Sequence, residues 1–126
     1  MLFRSALGGQ APVHASSAGK VLVAAQARDE WAAYAPRKGG PKLTRHTNSD
    51  PGRFLLELEE AARQGVAWNR EESALNYVSV AAPIPEPGRM PRFAVAILMD
   101  KRELPLRDLR GLEDAVRGIA RRLGLA

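Results

Sequence analysis

The strongest constraint on this chain is a pair of apolar runs, residues 77–84 and 93–99, separated by Pro85-Glu86-Pro87-Gly88. Each run is too short for a helix and too continuous for a strand with one wet face. Runs of that length and texture form strands covered on both sides. The proline-glycine segment between them is turn chemistry, so the two form an antiparallel hairpin. Both faces of such a sheet need cover, and the rest of the chain has to supply it.

Helical patterns flank the hairpin. Ser16 or Ser17 suits the N-cap of a helix running to Gln26, with Val21, Leu22 and Ala25 on one face and Lys20 exposed. A second short helix fits residues 28–35, and Pro36 to Pro41 forms a loop. Asp50 as N-cap, Pro51 at the first position and Gly65 as terminator bound a third helix. Its stripe is Phe54, Leu55, Leu58, Ala61 and Ala62. Val66 to Trp68 opens another strand. A last helix buries Leu106, Leu109, Leu112, Val116, Ile119, Ala120 and Leu123 and turns Arg107, Arg110, Arg117 and Arg121 to solvent. At the front, residues 1–7 read as a strand ending at Gly8-Gly9, followed by an extended Pro12–Ala15 segment. Strands that pair as a hairpin, rather than alternating with helices, place the chain in the α+β class.

Composition narrows the function classes. At 126 residues the chain is one domain, 45% hydrophobic and 26% charged, as globular proteins are. It has no cysteine, hence no disulfide framework or thiolate metal site, which fits the cytoplasm. No stretch is apolar enough to span a membrane. The net charge of +5 comes from dispersed basic residues that no nucleic-acid motif organises, so direct DNA contact is not expected.

Candidate chemistry is sparse. Ser17-Ala18-Gly19-Lys20 has the S-x-x-K spacing of acyl-enzyme hydrolases, without the partner motifs those enzymes need. Gly19-Lys20 lacks the earlier glycine and the following hydroxyl of a phosphate-binding loop. What survives is a helix N-terminus able to receive an anion. His14 and His46 stand far apart, with no ligand spacing and no metal site implied. Glu71-Glu72 reads as a solvated strand end. No cofactor is implied, and no catalytic set is evident.

Three segments in order carry a resemblance. Residues 12–24, PVHASSAGKVLVA, resemble the "PLHAxAxGKALLA" signature of IclR-type regulators. Residues 65–72, GVAWNREE, resemble that family's "GYAVDREE" segment, and residues 78–84, VSVAAPI, its "VSCVAAPV" strand. Leu43-Thr44-Arg45-His46-Thr47 also falls in its expected place. The likeness spans essentially the whole chain. It implies a GAF/profilin-like effector-binding domain, an antiparallel sheet with flanking helices, that assembles as dimers or higher oligomers and responds to small organic or aromatic acids. Carried over by motif, the ligand-binding positions are Ser17, Ala18, Asn69, Ser79, Ala96 and Leu98. Asn69 stands for a common aspartate and Ser79 for a common cysteine. Ala96 and Leu98 replace small polar residues, which favours a larger apolar or aromatic acid.

The resemblance also implies absences. The family's DNA-reading domain and linker helix have no counterpart in residues 1–126, and the leading strands of the sensing domain are missing. A sheet edge left open in this way is expected to pair in a homodimer. Two other readings compete: a stand-alone interaction or oligomerisation module with a degenerate pocket and, more remotely, a Ser-x-x-Lys hydrolase.

Overall fold

The computed structural model describes residues 2–4, 10–38, 40, 42–104 and 108–124. Three antiparallel strands form the main sheet in the order β3-β4-β5: β3 is Ala67–Arg70, β4 Tyr77–Pro83 and β5 Ala94–Asp100. The hairpin register pairs Tyr77 with Asp100 and Pro83 with Ala94; β3 pairs Asn69 with Ser79. A separate two-stranded sheet joins β1 (Leu2–Arg4) to β2 (Gln10–Pro12). The Gly8-Gly9 end expected for the first strand lies outside the described residues. Val13–Ala15 is a 3-10 turn rather than an extended lead-in.

Helices cover both faces. On one side, α1 (Ser17–Ala24) and α2 (Pro51–Gln64) enclose a core of Val21, Phe54 and Leu58 against Ala67 and Ala81. On the other, α3 (Leu109–Gly124) sets Val116 and Ala120 against Val66, Val80 and Ala82. Pairing across the strands explains the split: Ala67, Ala81 and Ala96 make one row facing α1, and these small side chains let the helix sit close.

The strands differ in burial. β4 is central and buried almost throughout. β5 was expected to be covered on both faces but is an edge strand, partly exposed along its length, with Leu98 57% exposed. The expected burial of α3 also narrows. Leu123 is exposed, and Leu106 and Arg107 lie outside the described residues. Arg117 is not simply solvated: its Nε donates to the Gln64 carbonyl at 2.8 Å, tying α3 to the end of α2.

Candidate effector site at the start of the first helix

Ser16 is the N-cap of α1. Its backbone is extended, its Oγ accepts from Gly19 N–H at 3.1 Å, and its carbonyl accepts from Lys20 N–H at 2.9 Å. The first-turn amides of Ser17 and Ala18 have no acceptor within the helix, and they carry its partial positive charge. Gly19 is required here by close approach. A Cβ at that position would lie 3.1 Å from the Val13 Cα and 3.2 Å from its carbonyl oxygen.

Below this helix start, Asn69, Ser79 and Leu98 form one row across the sheet. The Ser17 and Ser79 hydroxyls lie 2.7 Å apart, both residues buried. Asn69 is 2% exposed and engaged on every side. Its Nδ2 donates to the Ala15 carbonyl (3.0 Å) and Ser73 Oγ (2.8 Å), and its Oδ1 accepts from Glu72 N–H (2.9 Å). An aspartate could not make the two donations. Asn69 therefore clamps the turn before α1 to the turn after β3. Ala18 packs against the core, and Ala96 sits partly buried in the floor beneath α1. Leu98 stands in the open at the sheet edge.

All six expected positions thus lie on the α1-facing side. Ser17, Asn69 and Ser79 are buried there, while Leu98 is open to solvent. Two concavities lie elsewhere. One of about 250 Å³ is lined by Lys20, Glu57, Glu60, Trp68, Arg70 and Glu72 among others. A second of about 220 Å³ lies among Pro83, Pro85, Pro91 and Arg121.

Two expectations fail at the first of these. Lys20 is not exposed but 3% exposed, inside a polar knot. Its ammonium donates to Glu72 Oε1 (2.8 Å), Glu57 Oε2 (3.1 Å) and the Trp68 carbonyl (2.8 Å). Glu71 and Glu72 are not a solvated strand end either; both are buried in the turn after β3, Glu71 with φ of 59°. The Thr44 and Thr47 hydroxyls donate to the Glu71 and Glu72 carbonyls at 2.5 Å each, latching the 43–47 loop onto this turn. The backbone N–H of Asn76, followed by the ammonium of Lys101, holds the Glu71 carboxyl below the usual carboxylate range. Helical spacing carried the signal for Lys20: positions 17, 20, 21 and 24 share one face, and all four are buried. The geometry does not form a serine-lysine dyad. Ser17 Oγ faces Ser79, whereas the Lys20 ammonium is held by two carboxylates.

The family model described as "Bacterial transcriptional regulator IclR C-terminal" matches residues 1–124. The chain belongs to this family. The transcriptional repressor IclR of Escherichia coli is 31% identical over 97 residues, 77% of this chain and 35% of that protein. The Pca operon regulatory protein of Acinetobacter baylyi is 37% identical over 81 residues, 62% of this chain and 28% of that protein. The match thus spans about a third of these relatives or less. Among solved structures, a putative transcriptional regulator from Rhodococcus superposes with a TM-score of 0.82 at 26% identity, covering 95% of this chain and 49% of that one. The inducer-binding domain of PobR from Acinetobacter, solved as a double mutant with 3-hydroxybenzoic acid, superposes with a TM-score of 0.81 over 92% of this chain and 67% of that one. At 24% identity the second likeness is one of fold. The α+β, GAF-like expectation and the IclR resemblance both hold. Among the described residues, no helix is long and apolar enough to cross a membrane.

Proposed function

We propose that this IclR-type C-terminal domain binds a small organic acid, with an aromatic acid preferred, between the start of α1 and the sheet row Asn69–Ser79–Leu98. The observation that carries the reading is the pair of first-turn amides at Ser17 and Ala18, set beside the Ser17–Ser79 hydroxyl pair. A carboxylate would take the amides, with a hydroxyl reorienting toward it. The ring would lie over Ala96 and Leu98, where apolar atoms replace hydrogen-bonding groups. The fold shared with a domain solved with 3-hydroxybenzoic acid supports this choice of ligand class. Asn69 acts from behind by fixing the helix start. The domain acts in the cytoplasm as part of a regulator, without catalysis or direct DNA contact of its own.

Thermal-shift measurements with benzoate, 3-hydroxybenzoate, pyruvate and glyoxylate test this. Stabilisation by the aromatic acids is expected, reduced in Ser79→Val. Stabilisation by the keto-acids alone, or by none of the four, would overturn it. In the same assays Ser17→Ala should leave any background ester hydrolysis unchanged.

A second reading, an oligomerisation module with a degenerate pocket, is favoured by one specific observation. The polar groups of Ser17, Ser79 and Asn69 already satisfy one another or their neighbours.

A further inference from the structure

The face of the sheet opposite the effector site is filled unevenly. Val80 of β4 and Val116 of α3 close the gap between strand and helix. Two residues further along the strand and one turn further along the helix stand Ala82 and Ala120, both 2% exposed. Two alanines leave open the volume that larger side chains would take, and the concavity of about 220 Å³ lies there. Pro83, Pro85 and Pro91 wall it with rigid rings whose nitrogens carry no hydrogen to donate. Gly65, left-handed at φ 72°, adds no side chain. The polar side chains of the lining are Arg117 and Arg121, one helical turn apart, and no carboxylate joins them among the described residues. Arg117 is anchored on the Gln64 carbonyl and on Asp114. Arg121 has no hydrogen bond or ion pair among the described residues. Both Arg121 and Arg122 lie in the last turn, where a cation offsets the negative end of the helix. Of the two, Arg121 also borders the concavity.

We propose that this concavity is a second ligand site, one that takes a small alkyl carboxylate. The tail lies inward on Ala82 and Ala120, and the carboxylate meets Arg117 and Arg121. Charge selects the head group. Two like charges one turn apart disfavour each other, and an anion between them relieves that repulsion and suits the planar guanidinium fork. The walls select the tail. Three prolines give a hydrocarbon chain a fixed apolar surface and give a hydrogen-bonding body no N–H to accept from. Volume limits the length, since about 220 Å³ is below the roughly 300–1,000 Å³ of pockets for drug-sized ligands. The walls all come from residues 65–121 of this chain. The site shares no residue with Ser17, Asn69 or Ser79, and it does not rest on the effector reading.

Calorimetric titration of the 126-residue chain with butanoate, hexanoate and octanoate tests this. Affinity is expected to rise about fourfold with each added methylene. Octylamine, with the same tail and the opposite charge, should not bind. Amide chemical shifts in an octanoate titration should move around Ala82, Ala120 and Arg121. Arg121→Glu changes an exposed side chain and should abolish octanoate binding while the circular dichroism spectrum stays the same. Ala120→Leu fills the concavity and should abolish it as well. No binding of octanoate, octylamine binding as tightly, an affinity independent of chain length, undiminished binding to a folded Arg121→Glu variant, or shifts centred on Ser17 and Ser79 would each overturn the proposal. The shifts separate the two faces of the sheet, so failure here leaves the effector reading standing, and the reverse.

Discussion

Lys20 and Gly19 show how much a single side chain decides here. Lys20 neutralises Glu72 where neither group is well hydrated. Replacing it with methionine keeps the volume but strands a buried carboxylate, a loss of about 3–5 kcal/mol, to be read from urea denaturation. Glu72→Gln should cost less, because no unpaired anion remains buried. Gly19→Ala forces a Cβ against the Val13 backbone, which has no soft atom to move. We expect about 1–3 kcal/mol of destabilisation, together with weaker effector binding as the helix start shifts. The family signature marked both positions in the sequence, but their reasons were not visible there. The lysine's partners come from residues 57, 68 and 72, and the glycine's neighbour is fixed by a turn that also had to form.

At the scale of elements, legibility followed locality. α2 was readable in its ends and the centre of its stripe: Asp50 Oδ1 accepts from Gly52 N–H at 3.1 Å, Phe54, Leu58 and Ala61 are buried, and Gly65 ends the helix at φ 72°, whereas Leu55 is half-buried and Ala62, expected in the stripe, is exposed. Cap, stripe and terminator all lie within 16 residues of one another, so no distant contact overrules them. Asp50→Ala should cost about 1 kcal/mol, seen as a lower urea midpoint with an unchanged slope. The hairpin was readable for the same reason, since its turn residues separate two apolar runs. The difference between β4 and β5 was not. Both runs have the same chemistry, and only sheet order makes one central and the other an edge. The site residues divide the same way. Ser17, Asn69 and Ser79 do meet, whereas Leu98 stands exposed on β5, the outermost strand of the main sheet among the described residues.

Over the whole molecule, acid stability integrates several local charge contacts. Carboxyls of Glu71, Glu86 and Asp100 lie below their ordinary range. The causes are the backbone N–H of Asn76, the guanidinium of Arg92 and the guanidinium of Arg102, which takes Asp100 down to about 2. With folded values depressed, the unfolded chain binds more protons as the solution is acidified. The stabilisation is complete above the unfolded carboxylate values and is lost as pH falls through the folded ones. The urea midpoint should therefore hold from neutrality to about pH 5 and fall steadily below about pH 4, with a shallower fall in Glu71→Gln. Local pattern was enough for the hairpin, the capped helices, the α+β class and, through three ordered segments, the family. Those features rest on contacts between near neighbours in the chain or on inherited wording. The burial of Lys20 and Glu72, the clamp made by the fully engaged amide of Asn69, and the edge position of β5 come instead from the packed fold. Each depends on which distant segments come to lie beside one another, and burial, charge pairing and sheet order are properties of that arrangement rather than of any stretch of chain.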